Sequence, residues 1–156
     1  MREATTAAEL LDLIRSERSA LEESVAVLSN QDLATPGPAG YWSAKDILVH
    51  VTWWEGQTLR KLHGERTAHD RLGGEDNYAV IDVVNNEVYV EYREQPAADV
   101  RAAFRSHLAQ LTGALAAYDE DFVRANLDFI AENTYRHYQE HTVQIREWTA
   151  RQPARA

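Results

Sequence analysis

A chain of 156 residues, 44% of them hydrophobic, is long enough for one packed core and too apolar for a disordered protein. A formal charge of -9 repels phosphate backbones and anionic lipid, so no nucleic acid and no membrane is expected as a partner. The absence of cysteine excludes disulfides, Cys-ligated metals and a Cys nucleophile, and the opening MREATTAAELL lacks the pattern of a secretory signal, which makes the cytoplasm the expected location.

The first predicted helix covers about Ala7 to Leu28. Thr6 and Glu9 stand before it at capping-box spacing, and Leu10, Leu13, Ile14, Leu21, Val25 and Leu28 form its apolar stripe. Pro36, Gly37, Pro38 and Gly40 then mark a loop. Ser43 and Asp46 form a second cap pair, with Lys45 expected at the surface. Ile47, Val51, Trp54, Thr58 and Leu62 line the inner face of the helix they open. The polar stretch from His63 to Asp76, with Gly73 and Gly74, reads as a loop. From Asn77 to Gln95 the chain is rich in Val and Tyr, but it does not alternate and carries Asn85-Asn86. A lone strand would also lack a partner, so a short helix fits better.

Pro96 suits the first turn of the third long helix, whose Val100, Phe104, Leu108, Leu111 and Leu115 face inward. The fourth is expected from about Leu127 to Trp148, with Ile130, Thr134, Ile145 and Trp148 on one stripe. Four such helices bury their stripes most simply against one another. The expected fold is therefore all-α, an antiparallel four-helix bundle with a short extra helix between the second and third long helices. Residues 1–150 form a single domain in this reading and 151–156 a flexible tail.

Several polar residues fall on the inward faces of these helices. Glu17 lies on the stripe of Leu10, Ile14 and Leu21. His50 flanks Trp54, His107 lies between Phe104 and Leu111, and His137 and His141 lie between Ile130 and Trp148. Imidazoles four apart stand one above the other on a helix and can share a metal ion. His50 is the candidate third ligand, and a three-His set keeps coordination positions open for water or substrate. The alternative is a hydrogen-bonded pair of partly buried histidines. Glu17 is read either as a buried partner of Arg or His, or as an acid or base of raised pKa. His107 reads more simply as a satisfied core histidine. Trp42, Trp53, Trp54 and Trp148 are read as core or pocket walls. Glu140 falls off the inner face, and His63 and His69 are assigned nothing.

The segment YWSAKDILVHVTWWE (Tyr41–Glu55) resembles the W-S-x-K-D-[IV]-L-x-H-[IV]-x-x-W-E signature of the DinB/YfiT-like superfamily, and within it the colibactin self-protection (cyclopropane hydrolase) type. Asn85 with Val88-Tyr89, Phe104–His107 (FRSH) and AENTYRHYQEHTVQIREW (Ala131–Trp148) resemble its later motifs, in order and at matching intervals. The resemblance implies a four-helix bundle and a metal site, zinc or nickel, on His50, His137 and His141. In the self-protection type it implies hydrolytic opening of an electrophilic cyclopropane, with an inward Glu of the first helix, here Glu17, handling water and protons.

Together these readings give an enzyme acting on a small electrophilic molecule, as a monomer or homodimer. Glu17, His50, His137 and His141 are its expected catalytic residues. Trp53, Trp54, Asn85, Tyr89, His107, Asn133 and Trp148 are its expected substrate pocket. A metal-dependent S-transferase using mycothiol or bacillithiol shares the histidines but needs a cation for the carboxylates of its cosubstrate, and the sequence alone locates none. A protein that sequesters a toxic metabolite without turnover is the third possibility.

Overall fold

A computed structural model describes residues 2–71 and 78–153. Its bundle is built from α1 (Ala7–Ala26), α3 (Ala44–Leu62), α6 (Ala97–Ala116) and α9 (Tyr135–Arg151), with α3 packed mainly on α6 and α1 on α9. Between them lie α2 (Asn30–Leu33), a hairpin of β1 (Pro36–Ala39) and β2 (Trp42–Ser43), α4 (Ala68–Arg71), α5 (Tyr78–Tyr92), α7 (Glu120–Ala125) and α8 (Leu127–Glu132). The stripes read from the sequence meet in one core, where Leu10, Ile14, Leu21, Ile47, Val51, Leu111 and Ile145 are fully buried. Burial of each such side chain is worth about 1.5–3 kcal/mol. Among the described residues no helix is long and apolar enough to cross a membrane.

Local chemistry explains where the helices start. Thr6 accepts from the Glu9 backbone N–H, while the Glu9 carboxylate accepts from the N–H and hydroxyl of Thr5 rather than of Thr6. Ser43 and Asp46 form a reciprocal box, and Ser29 and Asp32 form another that opens α2.

Three expectations need correction. Lys45 is buried, not exposed, because its Nζ donates to the carbonyls of Arg93 (2.6 Å) and Gln95 (2.9 Å), just beyond the end of α5. A cation there satisfies acceptors of the chain leaving the helix and complements its dipole. The segment from 78 to 92 is the expected extra helix, its fifteen residues fewer than in any of the four bundle helices. The loop of Pro36–Gly40 contains a hairpin strand, with Gly37 at φ +139° and Gly40 at φ +62°. A Cβ on Gly37 would stand 2.5 Å from Nε1 of Trp148, so only glycine lets the indole close over the hairpin. The fourth helix, finally, is broken between α8 and α9. Asn133 Nδ2 donates to Phe129 O (2.8 Å) and Thr134 Oγ1 to Ile130 O (2.6 Å). These side chains occupy carbonyls of the preceding turn while Thr134 leaves helical geometry.

Gly73 and Gly74 lie outside the described residues, as do 154–156; α9 itself runs to Arg151, and Gln152 Nε2 still reaches Trp148 O at 3.1 Å.

Candidate functional site

α3 carries His50 and α9 carries His137 and His141, and the packing of the two helices brings the three imidazoles together. Nε2 of His137 lies 2.7 Å from Nε2 of His50 and 2.9 Å from Nε2 of His141. The ligand atoms of all three lie within 4.8 Å of one another. Burial pushes the pKa of His50 well below its usual 6.5, with the charge of His141 adding to it. The same burial, with His50 and His141 beside it, lowers His137 strongly. His141 is also lowered by burial, although Gln144 and Glu140 work the other way. All three are therefore held neutral, the form in which imidazole binds a metal.

Tautomers follow from the contacts. Nδ1 of His141 lies 2.7 Å from Oε1 of Gln144, which only accepts, so Nδ1 carries the proton and Nε2 offers a lone pair. Three Nε2 atoms at this separation set lone pair against lone pair unless a cation shares them, because a single proton on His137 can point at one neighbour only. The donor set thus fits a divalent metal such as zinc or nickel, and the cluster can coordinate one. Nδ1 of His137, by contrast, is buried without a hydrogen-bond partner among the described residues.

Aromatic groups wall the cluster. The Trp42 indole lies 4.9 Å from the His50 ring and stacks on Tyr89 at 6.3 Å. A cavity of about 10 Å³, the space of one water, is lined by Trp42, His50, Asn85 and Tyr89 among others. Asn85 Oδ1 also accepts from Nε1 of Trp54 at 2.9 Å, and Trp54 presents its edge to His50. Of the expected pocket residues, then, Asn85, Tyr89 and Trp54 surround His50. Trp53 instead lines a separate groove of about 580 Å³ together with Gly56, Arg60 and Arg66. Asn133 serves the break before α9, and Trp148 packs in the core over Gly37, so neither borders the cavity.

The buried carboxylate is not the expected one. Glu17 is only half-buried and is not part of the histidine cluster. The face of α1 that reaches the centre of the bundle carries Arg18, one residue or 100° further round, and both Arg18 and Glu55 are 0% exposed. Glu55 Oε1 accepts from Arg18 Nε (2.7 Å) and Tyr138 OH (2.7 Å), and Oε2 lies 2.6 Å from Nδ1 of His107. Burial pushes the Glu55 carboxyl up, but His107, Arg18 and Tyr138 together outweigh it and hold it below its usual 4.5. His107 is thus a partner of Glu55 rather than a wall of the cavity. Sequence reasoning passed over Arg18, Glu55, Tyr138 and Gln144. The available signal was a pair of opposite charges on the inner stripes of two different helices.

Comparison with solved structures places this architecture. The colibactin self-resistance protein ClbS, solved in complex with a dsDNA, superposes with a TM-score of 0.80 at 13% identity, over 96% of this chain and 99% of that one. An uncharacterised protein from Escherichia coli UTI89 gives 0.76 at 17% identity, over 95% of each chain. The sibling lethal factor precursor DfsB gives 0.74 at 15% identity, over 97% and 100%. These likenesses establish the fold, the four-helix bundle that the resemblance implied. No functionally curated protein matches in sequence. The ClbS complex also corrects the exclusion of nucleic acid drawn from net charge. A protein of this same fold is captured on duplex DNA, so a formal charge summed over the chain is no ground for ruling out such a partner. Residues 14–151 match a sequence family outright, and on that match the chain belongs to the mycothiol maleylpyruvate isomerase N-terminal domain family.

Proposed function

We propose that the protein is an enzyme acting on a small electrophilic molecule at the histidine cluster, a hydrolase that opens a strained or activated ring in self-resistance or detoxification. The observation that carries this reading is the convergence of three neutral imidazoles, two buried and one half-buried, beside a water-sized cavity walled by aromatic rings. His50, His137 and His141 would hold a divalent metal, which when bound supplies Lewis acidity and lowers the pKa of water. Gln144 keeps the proton on Nδ1 of His141 and so fixes the direction of its Nε2. Trp42 and Tyr89 exclude bulk water and offer an apolar face to the substrate, and the Asn85 amide, oriented by Trp54, presents a polar group to the same cavity. The shared fold of ClbS, a self-resistance protein by name, supports the reading.

A second reading is favoured by the groove on α3. Trp53 with Arg60 and Arg66 offers an aromatic wall and two guanidinium groups, the cations that the carboxylates of a thiol cosubstrate require. Family membership points the same way. Turnover of an epoxide or activated cyclopropane probe by tag-free protein, with and without mycothiol, separates the two. The hydrolase reading expects turnover without thiol, and loss of both bound metal and turnover in His137→Ala. Turnover that demands the thiol favours the transferase, and stoichiometric capture without turnover means sequestration.

A further inference from the structure

Glu55, Arg18, His107 and Tyr138 join all the long helices at one buried point: Glu55 on α3, Arg18 on α1, His107 on α6 and Tyr138 on α9. Stability alone does not account for this network. A buried ion pair is often matched or bettered by apolar residues of similar volume. This one is also incompletely satisfied, since Nη1 of Arg18 is buried without a hydrogen-bond partner among the described residues. Its geometry, however, bears on the histidines. Arg18 and His107 grip the Glu55 carboxylate from two sides and leave Oε1 aimed at the Tyr138 hydroxyl.

Tyr138 follows His137 on α9, and Glu55 stands five residues after His50 on α3. The helices α3 and α9 are therefore linked twice, by His50 with His137 and by Glu55 with Tyr138. The second link fixes both the height and the rotation of α9. Sliding it by one turn, about 5.4 Å, or turning it by one residue, about 100°, breaks that link. His137 needs such a fixture more than its neighbours do. His141 is oriented through Nδ1 by Gln144, but Nδ1 of His137 has no partner among the described residues, so its Nε2 is aimed only by where α9 is held.

We propose that Glu55 is a positioning residue for the histidine cluster, acting through Tyr138 to hold α9 where His137 meets His50 and His141. The inference rests on the reading of the cluster as a metal-holding site.

The test is metal affinity, measured on the full chain without a tag. Zn(II) and Co(II) are titrated against a chromophoric chelator, and melts of the metal-free proteins are run alongside. Tyr138→Phe removes one hydroxyl and keeps the ring. It should weaken both ions by about tenfold or more, the usual effect of losing an orienting partner, and alter the Co(II) spectrum. His107→Ala frees one side of the carboxylate from a partly buried position and should weaken binding in the same direction. Ile145→Val destabilises α9 without touching the network and should leave both affinities within twofold of wild type. Wild-type affinity in Tyr138→Phe, or an equal loss in Ile145→Val, overturns the positioning role while leaving the metal site standing. A wild-type chain that takes up neither ion overturns the metal reading itself and this inference with it.

Discussion

At the scale of single residues, the outcome turns on one step of helical rotation. A wheel centred on Leu10, Ile14 and Leu21 admits either Glu17 or Arg18 between its leucines, and nothing within α1 itself chooses. The choice is made by α3, which offers the Glu55 carboxylate to a cation and would repel another carboxylate. Glu17→Gln is accordingly expected to retain turnover within about twofold, where loss of a true general base costs roughly 100-fold or more. Steady-state rates on the epoxide or cyclopropane probe check this, and a hundredfold loss returns Glu17 to the chemistry. His50, His137 and His141 were legible because each lies on an apolar flank and two share the i, i+4 spacing. Gln144 and Tyr138 were not, because an amide or hydroxyl on such a face fits the core as well as a site.

Among the elements, long helices were readable where a cap and an unbroken stripe coincided, as at Ser43 and Thr6. The divided fourth helix was not, since Ile130 and Ile145 keep their stripe while the backbone between them bends on side-chain bonds that no apolar pattern records. The helix α5 shows another limit. Its main packing partner is α3, only Val84 and Val88 are buried, and Tyr78, Val83 and Val90 stay exposed, so its periodicity is faint. Its C-terminal end is pinned by Lys45 instead. Lys45→Met keeps the aliphatic stem and removes both hydrogen bonds, which at about 1.5 kcal/mol net should raise local opening of α5 roughly tenfold. Amide hydrogen exchange across 78–92 measures it, and unchanged protection would show that α3 alone holds the helix.

For the whole molecule, buried neutral histidines tie stability to acidity. An unfolded imidazole titrates near 6.5, and the folded values of His50, His137 and His141 lie lower, so protons prefer the unfolded chain. The contribution is fully present above 6.5 and is lost as the pH falls below it toward the folded values. Glu55, held below 4.5, adds a second loss on further acidification. Urea midpoints of the chelator-treated protein should therefore drop in two stages. A flat profile from pH 7 to 5 would show that the imidazoles titrate alike in the folded and unfolded chain.

The 87 residues separating His50 from His137 carry a consequence for biosynthesis. A nascent chain holds one ligand of the cluster until α9 is made, and one imidazole binds a divalent ion only weakly. The partner of Glu55 on α9 is made equally late. Precursors that still lack α9 thus have no competent site with which to scavenge an ion or meet a reactive metabolite, and the centre comes into being only when α9 leaves the exit tunnel and docks.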